Sequence, residues 1–334
     1  MIPVYDNTVI YVMCPPQVFT GGPELLHQLA FKLRQFGMNA EMFYYPHSEQ
    51  PVHVNFVAYN NPYVAEIIDK EENILVVPEV YANHTGQFRQ IRKVLWWLSI
   101  DNFFKPYRTG KTLSIYQVLT RLGLGQLADT LVLKRKIAGV FDYNLVQSHY
   151  AGDFIGKRGI KSYYLSDYLS HAFLEHADKV LIEAKRPQVL YNPKKGLEFT
   201  KKIMERSTDL KWIPIQNMTP AQVQNLLKES MVYIDFGNHP GKDRFPREAA
   251  VLSCCVITGR KGSAGFDEDV PIPGKYKIPD SEANIHRIID QIRACLADFK
   301  TCLNDFSHYR QVILSEEKKF EQDVKTVFVK QARK

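Results

Sequence analysis

A chain of 334 residues is long enough for two domains, each burying a core of its own. Its 45% apolar and 24% charged residues are ordinary for a globular protein, and no stretch reaches the roughly 18 apolar residues of a membrane span. The net charge of +7 is concentrated in residues 101–140, where seven Lys/Arg face only Asp101 and Asp129; without zinc-finger spacing or a single-strand-binding aromatic pattern, an anionic membrane surface or an anionic substrate suits it better than nucleic acid.

The first residues carry no charged leader and no long apolar run, so no signal peptide is predicted. Five cysteines without CxxC spacing read as reduced, buried residues of a cytosolic protein. Thr8–Cys14 predicts a buried strand. A turn to Gly21-Gly22 follows, then a helix from Pro23 to Phe36 whose Leu25, Leu26, Leu29 and Leu33 mark the inner face, then a strand over Asn39–Tyr45. Strand, glycine pair, helix, strand is how a Rossmann-like domain opens, although the glycines do not form a GxGxxG fingerprint. Gly21 and Gly22 would let backbone approach a substrate, or simply make a tight turn. His27 lies off the apolar stripe, a candidate to face a cleft or the surface.

His53–Tyr59 and Asn73–Val80 are predicted strands, the second delivering Glu79 to a strand end where a site would lie. Gln87–Leu98 reads as a helix carrying Trp96-Trp97, a pair for packing or for sugar stacking. Residues 111–137 are short amphipathic stretches broken by Gly123 and Gly125, and with Lys134-Arg135-Lys136 they suit either an anionic lipid surface or two solvated helices. Phe141–Ser148, Tyr150–Lys157 and Lys161–Leu165 continue as strand, helix and strand. Such alternation calls for a mostly parallel sheet covered on both faces.

Past a crossing at Ser166–His176 the same plan begins again. It runs through an apolar Val189–Tyr191, a helix over Phe199–Arg206, a strand over Leu210–Ile215 and a helix from Pro220 to Glu229 capped by Thr219. Gly265–Ile278 is loop, and Ser281–Phe299 and Asp305–Val327 are long helices. We divide the chain into 1–170, 171–310 and a C-terminal helix in 311–334, a candidate to return to the first domain. The expected fold is α/β, two Rossmann-like domains facing across a cleft with the C-terminal helix closing over the pair.

The most informative stretch is Met231–Gly265. Strand Met231–Phe236 gives way to Gly237-Asn238-His239-Pro240-Gly241, then Lys242-Asp243-Arg244, a helix over Pro246–Ser253 and a strand over Cys255–Thr258. Ligands of open α/β sheets sit at the carboxyl ends of strands. The helix N-terminus with Lys242, Arg244 and Arg247 favours an anion, and Glu248 can accept hydrogen bonds from ribose hydroxyls. Together they predict a nucleoside-diphosphate site lined also by His239 and Gly241, where the bland reading is a solvated loop beside a core helix.

Tyr191-Asn192-Pro193-Lys194-Lys195-Gly196 and Phe245-Pro246-Arg247-Glu248-Ala249-Ala250 resemble two motifs of GT-B sugar-nucleotide glycosyltransferases, nearest the retaining, glycogen-synthase-like group. In that family the lysine of the first motif contacts the donor diphosphate, which falls here on Lys195, and the glutamate of the second holds the ribose, which falls on Glu248. The arginine that usually precedes the lysine is replaced by Leu190 and Tyr191, with Arg186 nearby, and the family's second glutamate, eight positions before Glu248, is Pro240. The resemblance implies a bacterial surface-glycan type of enzyme that moves a sugar from a UDP- or GDP-linked donor to a glycan or lipid-linked acceptor. Lys195, Lys242 and Arg244 would stabilise the leaving diphosphate in place of a metal, since Asp267 and Asp269 have DxD-like spacing but lie in a loop. Gly21, Gly22, His27 and Glu79 would line the acceptor side, His27 or Glu79 serving as base in an inverting reaction. The expected location is cytoplasmic, with the inner membrane face as a candidate. An epimerase or hydrolase of the same fold, and a non-catalytic glycan- or nucleic-acid-binding protein, remain open.

Overall fold

The computed structural model describes residues 1–109 and 114–332; Lys111 and Leu113 of the basic segment lie outside them. The chain divides into two compact α/β units, one of Met1–Asp167 with the segment from Lys319 onward, the other of Tyr168–Lys318.

The first unit runs β1 (Ile2–Val4), β2 (Val9–Cys14), α1 (Gly21–Gln35), β3 (Asn39–Tyr44), β4 (Tyr63–Val64), β5 (Ile74–Pro78), β6 (Arg92–Trp97), α2 (Ile100–Thr109), α3 (Ile115–Arg121), α4 (Gly125–Lys136), β7 (Tyr143–Val146), α5 (His149–Gly156) and β8 (Tyr163–Tyr164). Its seven-stranded sheet has the order β4-β3-β2-β5-β6-β7-β8 and is parallel throughout. The chain builds outward from β2 to β3, then returns to place β5 on the other side of β2. That reversal makes the carboxyl ends of β2 and β5 the switch point where such sheets bind ligands.

β5 is buried at every residue, as expected of a strand covered on both faces. The same condition overturns the predicted helix over Gln87–Leu98. Its apolar core, Val94–Trp97, is the buried part of the inner strand β6, where both sheet faces demand apolar side chains and a short run cannot distinguish helical from extended spacing. Trp96 and Trp97 are fully buried on opposite faces of the sheet, donating Nε1–H to Leu165 O (3.0 Å) and Asn144 Oδ1 (3.1 Å). They pack; neither presents a surface for a sugar. The predicted strand at His53–Tyr59 is a 3-10 helix over Val54–Tyr59, with His53 Nδ1 accepting from Asn55 N.

The second unit contains α6 (His171–Leu174), β9 (Arg186–Tyr191), α7 (Leu197–Glu205), β10 (Trp212–Pro214), α8 (Pro220–Glu229), β11 (Ser230–Asp235), α9 (Arg244–Val251), β12 (Cys255–Thr258), α10 (Ile285–Ala297) and α11 (Phe299–Asn304). Its parallel sheet has the order β10-β9-β11-β12, with a switch point between β9 and β11. Thr219 and Gln222 exchange side-chain and backbone hydrogen bonds in a capping box that starts α8. Helix α12 (Ser307–Val327) begins in this unit and ends in the first, and β13 (Phe328–Lys330) then pairs in parallel with β1, Ile2 opposite Phe328.

Lys185 enters the second unit's core just before β9. Its Nζ donates to the carbonyl oxygens of Leu227 (2.9 Å), Ser230 (2.8 Å) and Leu252 (2.6 Å), gathering the C-terminal ends of α8 and α9 around one cation. Burial lowers the ammonium's pKa. Leu227 O also accepts from Ser230 N, and Cys254 Sγ donates to Leu227 O (3.2 Å) and Ser230 O (3.3 Å), while the negative end of each helix dipole faces the charge. Lys185→Met should therefore destabilise the chain by about 3 kcal/mol through the loss of its three charge-assisted hydrogen bonds. A fall in the urea midpoint at unchanged slope checks it.

Candidate functional site

Three loops leave the carboxyl ends of β9, β11 and β12, and glycines let them meet. A Cβ on Gly196, at φ +59°, would lie 2.6 Å from Phe236 O, and one on Gly237 would lie 2.5 Å from Lys195 Cβ. At Gly262, φ +60°, it would lie 1.9 Å from His239 O. No other residue fits these approaches, so Asn192–Gly196, Phe236–Asp243 and Gly259–Gly265 form one floor. Ser263 ties two of them, its N donating to His239 O (2.9 Å) and its hydroxyl to Gly241 O (2.6 Å).

Charges fill this floor. Asp235 is buried at the end of β11 and accepts from the Tyr233 hydroxyl (2.9 Å) and from Gly237 N (3.0 Å). The fully buried His239 ring lies between two carboxylates, Nδ1 2.9 Å from Asp243 Oδ2 and Nε2 3.4 Å from Asp235 Oδ1. Burial works against the imidazolium, but the two carboxylates outweigh it and push His239 up to about 10. Lys195 Nζ reaches the same Asp243 oxygen at 2.5 Å. One turn along α9, Arg244 Nε donates to Glu248 Oε1 (3.0 Å).

Lys242 and Arg247 behave differently from the sequence expectation of ligand-facing cations. Both are buried and converge on Glu316 of α12, Lys242 Nζ at 2.6 Å from Oε1 and Arg247 Nη1 at 2.8 Å from Oε2. Arg247 also donates to the carbonyls of Lys242 (3.1 Å) and Asp243 (3.2 Å). It anchors the helix rather than reaching outward. Glu316 is the residue sequence reading missed; nothing local marks it, because its partners lie some 70 positions away in the chain.

Counting His239 as protonated, Lys195, His239, Lys242, Arg244 and Arg247 exceed Asp235, Asp243, Glu248 and Glu316 by one positive charge. The charges form a nearly balanced lattice in which Lys195 and Arg244 are partly exposed cations, Arg244 standing at the N-terminus of α9. Asp235, His239 and Asp243 also offer ligand atoms within 4.8 Å of one another, a donor set divalent metals use. The loop pair Asp267 and Asp269 is split: Asp267 is exposed on Lys277 (2.7 Å), while Asp269 is buried. Arg186 sits at the opposite, amino end of β9 and pairs with Glu229 (3.4 Å).

In the first unit the structure gathers Gly22, Glu79 and Leu98 at the switch point. Glu79 directly follows β5, is buried, and accepts from Leu98 N (3.0 Å) past the end of β6; a Cβ on Gly22 would sit 3.7 Å from Leu98 Cδ1. Burial raises the Glu79 carboxyl to about 7, against backbone N–H groups of Leu98 and Ser99 that favour its anion. Gly21 opens α1 beside it. His27 turns inward instead: it is buried, stacked on Phe56 at 4.3 Å, with Nδ1–H donating to Pro23 O (2.8 Å) and Nε2 accepting from Tyr44 (3.0 Å). Burial depresses it to about 4, so it is a neutral core histidine rather than a base facing a cleft.

No family model and no curated protein matches the chain. Among solved structures it is similar to Anabaena HepE in complex with UDP and glucose, at 10% identity over 96% of this chain and 98% of that one, with a TM-score of 0.61. Sucrose-phosphate synthase from Thermosynechococcus elongatus aligns at 11% identity over 98% and 99% of the two chains, TM-score 0.59. An alpha-glucosyltransferase in complex with UDP aligns at 8% over 95% of each, TM-score 0.51. The likeness establishes the fold: two parallel-sheet α/β units of the GT-B type, over nearly the whole chain.

The imidazolium between Asp235 and Asp243 predicts a pH dependence. Because the folded value lies above the ordinary histidine value, its stabilisation is complete below about 6.5 and is lost as pH rises through about 10. Urea unfolding free energies should fall by a few kcal/mol across that window, and His239→Gln should remove this part of the slope.

Proposed function

We propose that the chain is a glycosyltransferase whose second unit binds a UDP- or GDP-linked sugar at the three-loop floor. One observation carries the reading. At the β9/β11 switch point, glycines bring Lys195, His239, Arg244 and Glu248 to one helix N-terminus, the setting a nucleoside diphosphate requires. The UDP and UDP-glucose held by structural neighbours of this fold support the choice of ligand class. The diphosphate would take Lys195 from Asp243 and draw on Arg244, and Glu248 would accept the ribose hydroxyls. As the bond to the sugar breaks, charge on the β-phosphate would be met by Lys195, Arg244 and the N–H groups of α9. These side chains supply cationic stabilisation themselves, so donor binding is expected to persist in EDTA.

The first unit would carry the acceptor, a glycan or lipid-linked hydroxyl, with Gly21, Gly22 and Glu79 at its switch point. Glu79 suits a general base because burial brings its carboxyl near neutrality.

Calorimetric titration with UDP, GDP, ADP, CMP and dTDP tests the donor site. One of UDP and GDP should bind with and without EDTA, and Lys195→Ala or Arg244→Ala should each weaken it roughly ten- to hundred-fold, the worth of one charge-assisted hydrogen bond. Wild-type affinity in both variants would remove the diphosphate from this floor, and a donor consumed without acceptor would assign epimerisation or hydrolysis. For Glu79, transfer rates should drop as pH falls below about 7, and Glu79→Gln should abolish that limb while leaving nucleotide affinity intact. A limb that survives the substitution would place the base elsewhere.

A further inference from the structure

Helices α3 and α4 each carry an apolar stripe that the fold does not use. On α3 the stripe is Ile115, Val118 and, at its C-cap, Leu122; beside α4 it is Leu124, Leu127 and Leu131. Both have the i, i+3, i+7 spacing of a core-facing helix, yet Ile115 is 76% and Leu122 69% exposed. The core-facing side is already satisfied by other residues. Tyr116 stacks on Phe104 and donates to Asp129 (2.9 Å), which also receives Arg158 (2.8 Å), while Ala128, Leu133 and Ile137 pack inward. Helix α4 is therefore apolar on two sides, one turned to the sheet and one turned out.

The charges beside the outward stripes are of one sign. Arg121, Lys134 and Arg135 are exposed, and the only carboxylate between residues 114 and 140, Asp129, is buried against Arg158. A second copy of the chain would bring these cations against their own kind. A phospholipid surface supplies both an apolar layer and negative headgroups. We propose that the α3–α4 hairpin is a docking face for an anionic membrane, its six aliphatic side chains entering the headgroup boundary and its cations resting on acidic lipids. Contact is peripheral: no helix among the described residues is long and apolar enough to cross a bilayer.

Flotation of the full chain with vesicles of phosphatidylglycerol in phosphatidylcholine, against phosphatidylcholine alone, tests the face. Binding should require the anionic lipid and weaken with salt. Lys134→Gln with Arg135→Gln should lower the partition roughly 30-fold, each cation near an acidic surface being worth about fivefold. Leu122→Ser with Leu127→Ser should lower it about tenfold or more at unchanged charge. These positions are exposed, so unchanged thermal midpoints keep the comparison clean. A chain that stays in the aqueous phase with anionic vesicles overturns the proposal, as does a concentration-dependent dimer in sedimentation that Leu127→Glu disperses. The readout is partition alone, so it succeeds or fails independently of nucleotide binding.

Discussion

The second unit depends on one carboxylate. Glu316 lies in a buried setting where Lys242 and Arg247 have both left water to reach it. Desolvating three charged groups is costly, and such clusters contribute less to stability than their short distances suggest. What they do fix is geometry. If α12 slid by one turn, or α9 rotated, two cations would be left in a low-dielectric interior without an anion. The N-terminus of α9 is held where Phe236–Asp243 can close onto its neighbouring loops, and the whole anion-facing floor inherits that position.

The same arrangement explains how a strongly cationic sequence can fold without an anion in place. Five positive side chains packed around one helix start would repel one another; here each has a carboxylate within 3.4 Å. Binding at such a site is an exchange. On the proposed reading a ligand phosphate would replace a resident carboxylate on Lys195 or Arg244, and affinity would reflect the difference between two good partners. Selectivity then rests on geometry that a side-chain carboxylate cannot match, namely the spacing of two phosphates along a helix terminus.

Much of this was legible from residues alone. The β11–loop–α9–β12 unit is marked by a buried run, a glycine loop and Pro246 in the first turn of the helix, all of them local signals. Lys195 and Glu248, picked out by motif, each form an ion pair in that unit, with Asp243 and with Arg244. The misreadings share a cause, which is that long-range partners decide the outcome. Trp96-Trp97 looks helical until both faces of a central strand need filling. His27 looks like a cleft residue until Tyr44 and Phe56 close over it from elsewhere in the chain. Lys242 and Arg247 look like phosphate ligands because a sequence window cannot contain Glu316. Charge type is written locally; whether a charge is already spent on the protein is not.

The pairing of β1 with β13 carries a consequence for how the molecule is made. Ile2 is translated well before its partner Phe328, which follows the whole of the second unit. Translation proceeds at about 5–20 residues per second, which separates the two by tens of seconds. In that interval the second unit's strands are already complete, since its segment is continuous, while the first unit waits with an unpaired edge at β1. The split first unit is thus finished after the continuous second one, and a nascent chain halted before Phe328 would expose a strand edge open to mispairing.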